Sequence, residues 1–317
     1  MSIALAGSEK FAQVVQRIDP RYRLIRAWKL KGGISAEVTA LEIEQANGQT
    51  QKMVVRQYSE TDLKQNLHVA ANEFRLLRTL RSTGLAVPDP YYLDQSGDIF
   101  PTPYIVIEYV EGKPEFSPAD LPDFIFQFTS QLSRIHAVNR LTADLSFLPQ
   151  QKKICAEELK EQRVKFDEIS EEDIQNVSRV IQLFPQQNPA VLLHGDFWPG
   201  NILWKGERLV AIIDWEDARL GDPLADVANS RLEILWAFGR EAMYSFTRQY
   251  QSMTAFDLTC LPCWDLYAAL RVGSQFAEWA TDDAIRQTML ARHRWFLLQA
   301  CEQISHLDRK NISPDVS

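Results

Sequence analysis

The sequence lacks any excess of positive charge. Its 34 Lys and Arg residues are outnumbered by 42 Asp and Glu residues, which gives a formal net charge of −8. Because phosphate backbones are bound by clusters of Lys and Arg, this balance argues against a nucleic-acid partner. Mild acidity is compatible with a cationic small molecule, but it is common among soluble proteins and selects no substrate.

Long hydrophobic runs are also missing. No stretch reaches the ~20 apolar residues that a membrane-spanning helix needs. In the N-terminal segment 1–10, Gly7, Ser8 and Glu9 interrupt the few apolar residues, so no secretory signal is indicated. We therefore expect a cytoplasmic protein with no membrane partner. Its 317 residues, 45% of them hydrophobic, suffice for one large domain or for two lobes with separate cores.

Cysteine is scarce, with four residues, two of which stand in Cys260-Leu261-Pro262-Cys263. Such a pair can be half of a zinc site or a redox pair. A second pair of this spacing is missing, and His293 and His306 do not stand at zinc-finger spacing. We expect small apolar residues at the entry to a helix.

The polar residues that can carry chemistry are concentrated in one region. Segment 194–201 reads HGDFWPGN and is followed, after a hydrophobic run, by Asp214 within the sequence IDWE. Phosphoryl transfer needs a carboxylate that takes or orients the proton of the attacking hydroxyl, and an amide and a second carboxylate that hold Mg²⁺ against the nucleotide phosphates. The protein-kinase pattern H-R-D-x-x-x-x-N, then D-F-G, has these groups at the same spacing. His194, Asp196 and Asn201 keep that register, with glycine for the arginine and Trp-Glu for Phe-Gly.

Together with the downstream run Gly221-Asp222-Pro223-Leu224-Ala225-Asp226, this region resembles the aminoglycoside phosphotransferase and choline kinase-like family. The resemblance covers residues 24–295 and is strongest over 192–226. It implies a protein-kinase-like fold and ATP- and Mg²⁺-dependent phosphorylation of a small-molecule hydroxyl, with GTP as the alternative nucleotide. The family defines the reaction far better than the substrate.

The hydrophobic patterning predicts five strands and one main helix in the first third of the chain. The strands are expected at 23–30, 37–43, 51–58, 91–93 and 104–109, and the helix at 63–80. Beyond the joint Glu111-Gly112-Lys113-Pro114 the pattern is mostly helical, starting with a helix near Leu121. We therefore predict an α+β, two-lobed protein-kinase-like fold. Residues 1–110 would form a nucleotide-binding lobe with a five-stranded antiparallel sheet, and residues 111–317 a larger, mostly helical lobe for catalysis and substrate binding.

Asp196 is the candidate catalytic base. It lies in a loop between the apolar run 191–193 and the predicted strand 202–204, where a scaffold can hold a carboxylate near a substrate hydroxyl. Whether it abstracts the proton or only orients the hydroxyl is open, since the transition state is largely dissociative. Asn201 and Asp214 are the candidate Mg²⁺ ligands, because one carboxylate and one amide oxygen suffice when phosphate oxygens and water complete the coordination.

Neighbouring polar residues are expected to have structural roles. The resemblance implies that His194 shapes the catalytic loop and that Asp222 and Asp226 brace it by accepting backbone N–H bonds. His136 ends a helical apolar face and is expected to be a hydrogen-bonded core histidine. For Glu216 we expect a surface salt bridge, with binding of a metal-bound water as the alternative.

Arg56 stands where protein kinases have a lysine that contacts the phosphates. An arginine preserves that chemistry, since its planar fork of donors suits phosphate oxygens. Glu73, on the following helix, is the best candidate to pair with it, ahead of Glu60 and Glu37. The alternative is an exposed strand arginine.

Two further segments are candidates for nucleotide binding. Gly32, Gly33 and Ser35 lie between the first two strands, where backbone N–H groups and a hydroxyl can bind phosphates, although Gly-Gly is also ordinary hairpin chemistry. The resemblance implies that the Glu108 carbonyl and the Val110 N–H bind the adenine edge.

Two other functions compete with a small-molecule kinase. A protein kinase is disfavoured because Gly195 replaces the arginine that binds the phosphate of an activation loop. In addition, too few residues separate Asp214 from Asp222 in the sequence to form an activation segment. A catalytically silent nucleotide-binding scaffold is disfavoured by the joint presence of Asp196, Asn201 and Asp214.

The identity of the phosphorylated hydroxyl, the choice between ATP and GTP, and the oligomeric state do not follow from the sequence. Aminoglycosides, macrolides, choline, homoserine and other amino alcohols or sugars all stay open as acceptors. Acids and aromatics in the last third predict a cationic acceptor, with core packing of the aromatics as the alternative. These residues are Asp265, Glu278, Asp282, Asp283, Trp236, Trp264, Tyr267 and Trp279.

Overall fold

A computed structural model describes residues 8–30, 37–138, 143–151, 188–272 and 282–312. Within these ranges the chain forms eight α-helices and nine β-strands. The helices are α1 Ser8–Ile18, α2 Glu60–Gln65, α3 Val69–Ser82, α4 Leu121–His136, α5 Leu224–Phe238, α6 Arg240–Met253, α7 Leu261–Arg271 and α8 Asp283–Ile312. The strands are β1 Arg23–Lys29, β2 Glu37–Glu44, β3 Thr50–Gln57, β4 Pro90–Asp94, β5 Tyr104–Glu108, β6 Val191–Leu193, β7 Ile202–Lys205, β8 Arg208–Ile212 and β9 Arg219–Gly221.

The first five strands form one antiparallel sheet in the order β1-β2-β3-β5-β4, which confirms the predicted five-stranded sheet. The turn Asn47-Gly48 joins β2 to β3, and Gly48 has a φ of 80°, a conformation that glycine adopts without strain. The pairing runs without a shift from Glu37 opposite Gln57 to Glu44 opposite Thr50. This regular ladder fixes the direction in which the β3 side chains point.

Helix α1 covers one face of the sheet and was missed by the sequence prediction. Its Phe11, Val14 and Val15 are buried with sheet residues such as Leu41 and Val55 in one hydrophobic cluster. The apolar residues of α1 recur at helical spacing in the sequence, which is the local signal for this helix.

The predicted helix 63–80 is two helices. Ser59 and Asp62 form a capping box at the start of α2, which ends at Asn66 in an extended conformation, and α3 restarts at Val69. The apolar stripe that predicted one helix therefore belongs mainly to α3, which packs against β4 and β5.

The remaining helices pack on one another around aromatic side chains. Helix α4 contacts α6, while α5 contacts α6, α7 and α8. The Phe128 ring of α4 lies 4.5 Å from that of Phe197 and 5.9 Å from that of Phe246. A residue of the HGDFWPGN segment is thereby anchored in the helical core.

The chain divides into two compact units. The first consists of Met1–Lys113 and Ile202–Glu216, and the second of Pro114–Asn201 and Asp217–Ser317. The predicted boundary between residues 110 and 111 places 202–216 in the second lobe, whereas these residues belong to the first compact unit. The β7–β8 hairpin joins the first unit because Trp204 and Lys113 exchange backbone hydrogen bonds and the Ile212 N–H donates to the Ala86 carbonyl. Functions for the two units stay predictions.

None of the helices within the described ranges is both long enough and apolar enough to cross a membrane.

Candidate active site

The loop that carries Asp196 is held by the first turn of α5. The Asp226 carboxylate accepts hydrogen bonds from the backbone N–H groups of His194, at 2.7 Å, and Gly195, at 3.0 Å. Gly195 has a φ of 87°, and a Cβ atom there would lie 2.3 Å from the Asp217 carbonyl oxygen. Both constraints require glycine, which explains why this chain lacks the arginine of the protein-kinase pattern.

Asp226 belongs to a buried network of polar side chains that also contains His136 and Tyr250. His136 Nε2 lies 3.3 Å from the Asp226 carboxylate, and the Tyr250 hydroxyl lies 2.6 Å from His136 Nδ1. Burial raises the pKa of Asp226, but the hydrogen bonds and charge of its neighbours outweigh burial and leave that pKa below its ordinary value. Asp226 therefore braces the loop and His136 is a hydrogen-bonded core histidine, as predicted.

Two other structural predictions differ in outcome. His194 is fully buried, and its Nδ1 accepts a hydrogen bond from the Asp196 N–H, which agrees with a loop-shaping role. Asp222 instead accepts hydrogen bonds from the Leu224 N–H and from the Asn188 side chain. It fixes the start of α5 and does not contact the loop backbone through these bonds, so the prediction for Asp222 was wrong.

Asp196 and Asn201 are clamped together. The Asn201 amide nitrogen donates to the Asp196 backbone carbonyl, at 2.9 Å, and to the Asp196 carboxylate, at 3.1 Å. The Asp196 side chain is 36% exposed, so a substrate can reach it. Because the amide nitrogen of Asn201 is used in this clamp, its amide oxygen is the atom left to bind a cation.

A second set of residues near Asp196 was missed by sequence reasoning. Arg271, the last residue of α7, places Nη2 4.0 Å from the Asp196 carboxylate and donates to the Asn229 amide oxygen at 2.7 Å. The partly buried Glu233 has a pKa raised to about 8 by burial and by the charge of Asp196, against the lowering effect of Arg271. Arg271 and Glu233 thus interact electrostatically with the candidate base, and Asn229 holds Arg271 in place.

Helix α5 supplies most of these contacts from a single stripe. Asp226, Asn229, Ser230 and Glu233 follow one another at helical spacing, and the Ser230 hydroxyl donates to the Phe197 carbonyl at 2.8 Å. A polar stripe along a helix that is otherwise buried was the signal in the sequence that could have identified Asn229 and Glu233.

The first unit contains a buried cluster around Arg56. Its Nη2 lies 2.5 Å from the carboxylates of both Asp214 and Glu216, and its Nε lies 3.4 Å from the Glu73 carboxylate. The Tyr58 hydroxyl donates to Glu73 at 2.6 Å. Glu73 is thus beside Arg56, as the sequence analysis expected, and Arg56 is not an exposed strand arginine.

Glu216 differs from its prediction. Its side chain is 13% exposed and that of Arg56 is 8% exposed, so the pair is not a surface salt bridge. Position 216 replaces the glycine of the protein-kinase D-F-G pattern, and here it adds a carboxylate to the buried cluster.

The charges of this cluster are unbalanced. Burial lowers the pKa of Arg56, but Glu73 and Asp214 more than offset burial and hold that pKa well above its ordinary value. Burial raises the pKa of Glu73, which Arg56 and the Tyr58 hydroxyl partly oppose. With one guanidinium among three carboxylates, the cluster has an excess of hard, negatively charged oxygen that suits a divalent cation.

No group of three or more His, Cys, Asp or Glu side chains with metal-binding geometry occurs among the residues that the structure describes. Mg²⁺ takes one or two carboxylates or amide oxygens together with phosphate oxygens and water, and Asp214 and Asn201 are residues of these donor types. Their roles as ligands stay predictions.

The backbone of Asp214 is strained. Its φ of 69° is the one positive value at a non-glycine residue in the described part of the chain. A left-handed conformation costs about 1–2 kcal/mol, although aspartate tolerates it better than most residues. Such strain at a polar residue is typical of functional positions.

The predicted nucleotide-binding residues are only partly visible. Gly32, Gly33 and Ser35 lie outside the described residues. Glu108 ends β5, where its backbone N–H donates to the Asp89 carbonyl, and an open groove of about 350 Å³ lies beside it. The groove is lined by Glu42, Thr50, Gln51, Lys52, Tyr91, Glu108, Tyr109 and Glu111. Val110 follows this segment, and the roles of Glu108 and Val110 stay predictions.

Residues 29–293 match the phosphotransferase enzyme family (APH). The chain belongs to this family. Among solved structures, macrolide 2′-phosphotransferase type I has a TM-score of 0.62 with 17% identity, covering 96% of this chain and 98% of that chain. The GDP and kanamycin complex of APH(2″)-IIIa has a TM-score of 0.61 with 17% identity, covering 95% of this chain and 99% of that chain. At these identities the likeness shows the fold, which is the protein-kinase-like fold of these phosphotransferases.

The curated relatives of this chain are named for a different activity. Acyl-CoA dehydrogenase family member 10 of Mus musculus is 28% identical over 194 residues, which are 57% of this chain and 18% of that protein. The chain spans less than a third of the length of such relatives. The match therefore concerns one segment of much longer proteins.

Three of the four acids predicted to attract a cationic acceptor lie within the described residues, and each of them has a partner in the chain. Asp265 is 1% exposed and forms a two-pronged salt bridge with Arg231, at 2.9 Å for each prong. Asp282 accepts a hydrogen bond from the Ile285 N–H at the start of α8, and Asp283 pairs with Arg286. The prediction was wrong for Asp265, because its buried carboxylate is paired with the Arg231 guanidinium.

Inside the described ranges, the aromatic residues that were predicted to bind a cationic acceptor pack within the protein instead, which was the alternative interpretation. Trp236 is buried, and the rings of Trp264 and Tyr267 lie 5.9 Å apart, edge to face. Glu278 and Trp279 lie outside the described residues.

The cysteine pair at the start of α7 is structural, as expected. Cys260 and Cys263 are both free and buried, and burial raises the pKa of their thiols to about 11 and about 12. Burial thus keeps both thiols protonated at neutral pH, as for small buried residues at the entry to a helix.

Proposed function

We propose that this phosphotransferase transfers the γ-phosphoryl group of ATP or GTP to a hydroxyl group of a small molecule in a Mg²⁺-dependent reaction. The observation that carries the proposal is the clamp between Asp196 and Asn201, which holds a partly exposed carboxylate on a braced loop. A catalytically silent scaffold has no need of a carboxylate held in this way.

Asp196 accepts or orients the proton of the attacking hydroxyl in this proposal. The hydrogen bonds from Asn201 and the rigid loop around Gly195 restrict the carboxylate to few orientations. Such restriction is what positions a reacting hydroxyl for in-line attack.

Asp214 and the Asn201 amide oxygen would hold the metal ion, which supplies charge neutralisation at the phosphates. Arg56 binds phosphate oxygens with its guanidinium, and Glu73 keeps that side chain oriented. Glu216 adds a carboxylate that holds Arg56 beside Asp214.

The decisive variant is Asp196→Asn. It should retain Mg²⁺-dependent nucleotide binding and lower turnover by ~10²–10⁴, the usual contribution of a positioned acid–base group. Binding is measured by titration calorimetry and turnover by ADP release. Asp98→Asn, at an exposed aspartate of the first unit, is the matched control and should leave turnover unchanged. Wild-type turnover in Asp196→Asn would overturn the assignment.

The metal site is tested separately with Asp214→Asn. Asparagine tolerates a positive φ, so this variant removes the charge without adding backbone strain. Nucleotide binding should lose its dependence on Mg²⁺, which calorimetry with and without the metal ion measures. An unchanged Mg²⁺ dependence would assign the metal to other residues.

The acceptor is found by a screen. Solved neighbours are named for macrolide and aminoglycoside transfer, and the longer relatives for acyl-CoA dehydrogenation. The panel should therefore include these antibiotics, choline and other amino alcohols, sugars, and hydroxyacyl-CoA thioesters. ADP release above the rate without acceptor identifies the acceptor class, and its absence throughout the panel favours the scaffold alternative.

A further inference from the structure

Arg271 is in an unusual position for a helix-terminal arginine. Its guanidinium lies 4.0 Å from the carboxylate of the candidate base, too far for a hydrogen bond, and 32% of the side chain is exposed. Its Nη2 donates to Asn229, which among the described residues is the guanidinium's one hydrogen-bond acceptor. Most of the donor capacity of Arg271 therefore stays open beside Asp196.

Asn229 holds this arginine at an energetic cost. Asn229 is 5% exposed, and its amide nitrogen is buried without a hydrogen-bond partner within the described ranges. Leaving such a group unsatisfied costs about 10- to 100-fold in the folding equilibrium, whereas an aliphatic side chain would avoid the loss. The contact that Asn229 makes in return is the hydrogen bond that orients Arg271.

The local charge also differs from what the acidic composition suggests. Glu233 stands one turn beyond Asn229 on α5, and its carboxyl group is mostly protonated at neutral pH because its pKa is about 8. Asp265, on the helix that carries Arg271, is neutralised by Arg231. Arg271 is thus the cation that lies beside the candidate base, while the nearby acids Glu233 and Asp265 contribute little negative charge there.

We propose that Arg271, oriented by Asn229, is the acceptor-recognition residue of this phosphotransferase and selects hydroxyl compounds that carry a carboxylate or phosphate group. The guanidinium matches the planar or tetrahedral oxygen arrays of these anions and pairs with them through two hydrogen bonds. Binding of the anion near Asp196 places the hydroxyl of the same molecule at the base. This inference rests on the proposed function and assigns its acceptor class.

The test uses acceptors that share a backbone and differ in charge. Glycerate, glycerol phosphate, glycerol and serinol carry a carboxylate, a phosphate, no charge and an ammonium group, and longer homologous sets extend the comparison. We expect kcat/KM for an anionic member to exceed that for its neutral counterpart by ~10- to 100-fold, as for a hydrogen bond to a charged group. The carboxylate and phosphate arms show which anion is preferred.

The variant Arg271→Gln should remove this preference, because it raises KM for anionic acceptors by a much larger factor than KM for neutral acceptors. Arg271→Lys should retain part of the preference, since it keeps the charge but loses the fork. Arg248→Gln, at an exposed arginine of α6, is the matched control and should change nothing. Thermal unfolding of each variant shows that it is folded.

Four outcomes overturn the inference. One is a wild-type preference for neutral or cationic acceptors, and another is phosphorylation of no panel member while Mg²⁺ and nucleotide still bind. A third is an equal loss of kcat with all acceptors in Arg271→Gln, which would make the arginine only a counter-ion of Asp196. The fourth is a loss of stability without a change in selectivity, which would make it only a helix cap. Failure of the wild-type chain to bind nucleotide with Mg²⁺ would overturn the proposed function as well.

Discussion

Arg56 and Arg271 each lie beside a carboxylate with a proposed catalytic role, but their surroundings are opposite. Arg56 is buried among three carboxylates, on a central strand of a regular sheet. Arg271 is a third exposed, ends a helix, and is held by one neutral amide. The three carboxylates around Arg56 suit a metal ion that also binds phosphates. The guanidinium of Arg271 has N–H groups with which it can bind a ligand that differs from one acceptor to another. In our proposals, phosphoryl transfer depends on the buried cluster around Arg56, and the choice of acceptor depends on the exposed Arg271.

The comparison is tested most strongly by the stability of the two arginine variants. Arg56→Met should lower the free energy of unfolding by about 3–5 kcal/mol, because it leaves buried carboxylates without their cation. Arg271→Gln should lower it by about 1 kcal/mol or less, since a partly exposed pair is screened by water. Urea unfolding followed by tryptophan fluorescence measures both. Equal losses would show that the two environments do not differ in energy.

A double-mutant cycle sharpens the description of the closed cluster. Arg56→Met and Glu73→Gln should show a coupling of ~0.5–3 kcal/mol in unfolding free energy, as residues in one ion-pair network do. Both single variants should also raise KM for ATP, with the larger effect from Arg56→Met. The pair Arg56→Met and Glu60→Gln is the control, because Glu60 is exposed at the start of α2 and should be additive. Additivity with Glu73 would mean that Asp214 and Glu216 alone hold the arginine.

The smallest expected effect is a pH dependence at the open cluster. Glu233 has a folded-state pKa raised from 4.5 to about 8, so the folded chain keeps a proton that the unfolded chain releases. The contribution of Glu233 to stability therefore falls as pH rises through this window. Glu233→Gln should remove that fall, a difference of about 1 kcal/mol after allowance for partial exposure.

Urea unfolding of wild type and Glu233→Gln across the same pH window measures this difference. Glu241→Gln, at an exposed carboxyl group of α6, is the control. Parallel stability curves for wild type and Glu233→Gln would show that Glu233 titrates normally in the folded chain.

The outcome at particular elements shows where sequence reasoning succeeds. The sheet was predicted because β-branched residues and the Asn47-Gly48 turn act locally. Helix α4 begins at Leu121 as expected, with Asp120 as its cap. The break between α2 and α3 was missed, since a continuous apolar stripe hides a local end of a helix.

The sequence by itself determined the family and predicted the residues that would carry its reaction. Asp196, Asn201 and Asp214 stand at a spacing that follows from a short loop and one hairpin, so their order along the chain carries the information. Local geometry of this kind is encoded in a few consecutive residues.

Only the tertiary structure decided which charges meet. Arg56 and Glu216 are 160 positions apart, and Arg231 and Asp265 are 34 positions apart. Contacts between separate elements depend on how helices and strands pack, which no local pattern specifies. Packing paired Asp265 with Arg231, buried Glu216 beside Arg56 and brought Arg271 close to Asp196. A buried charge must pair with the side chains that surround it, and the tertiary structure decides which side chains these are.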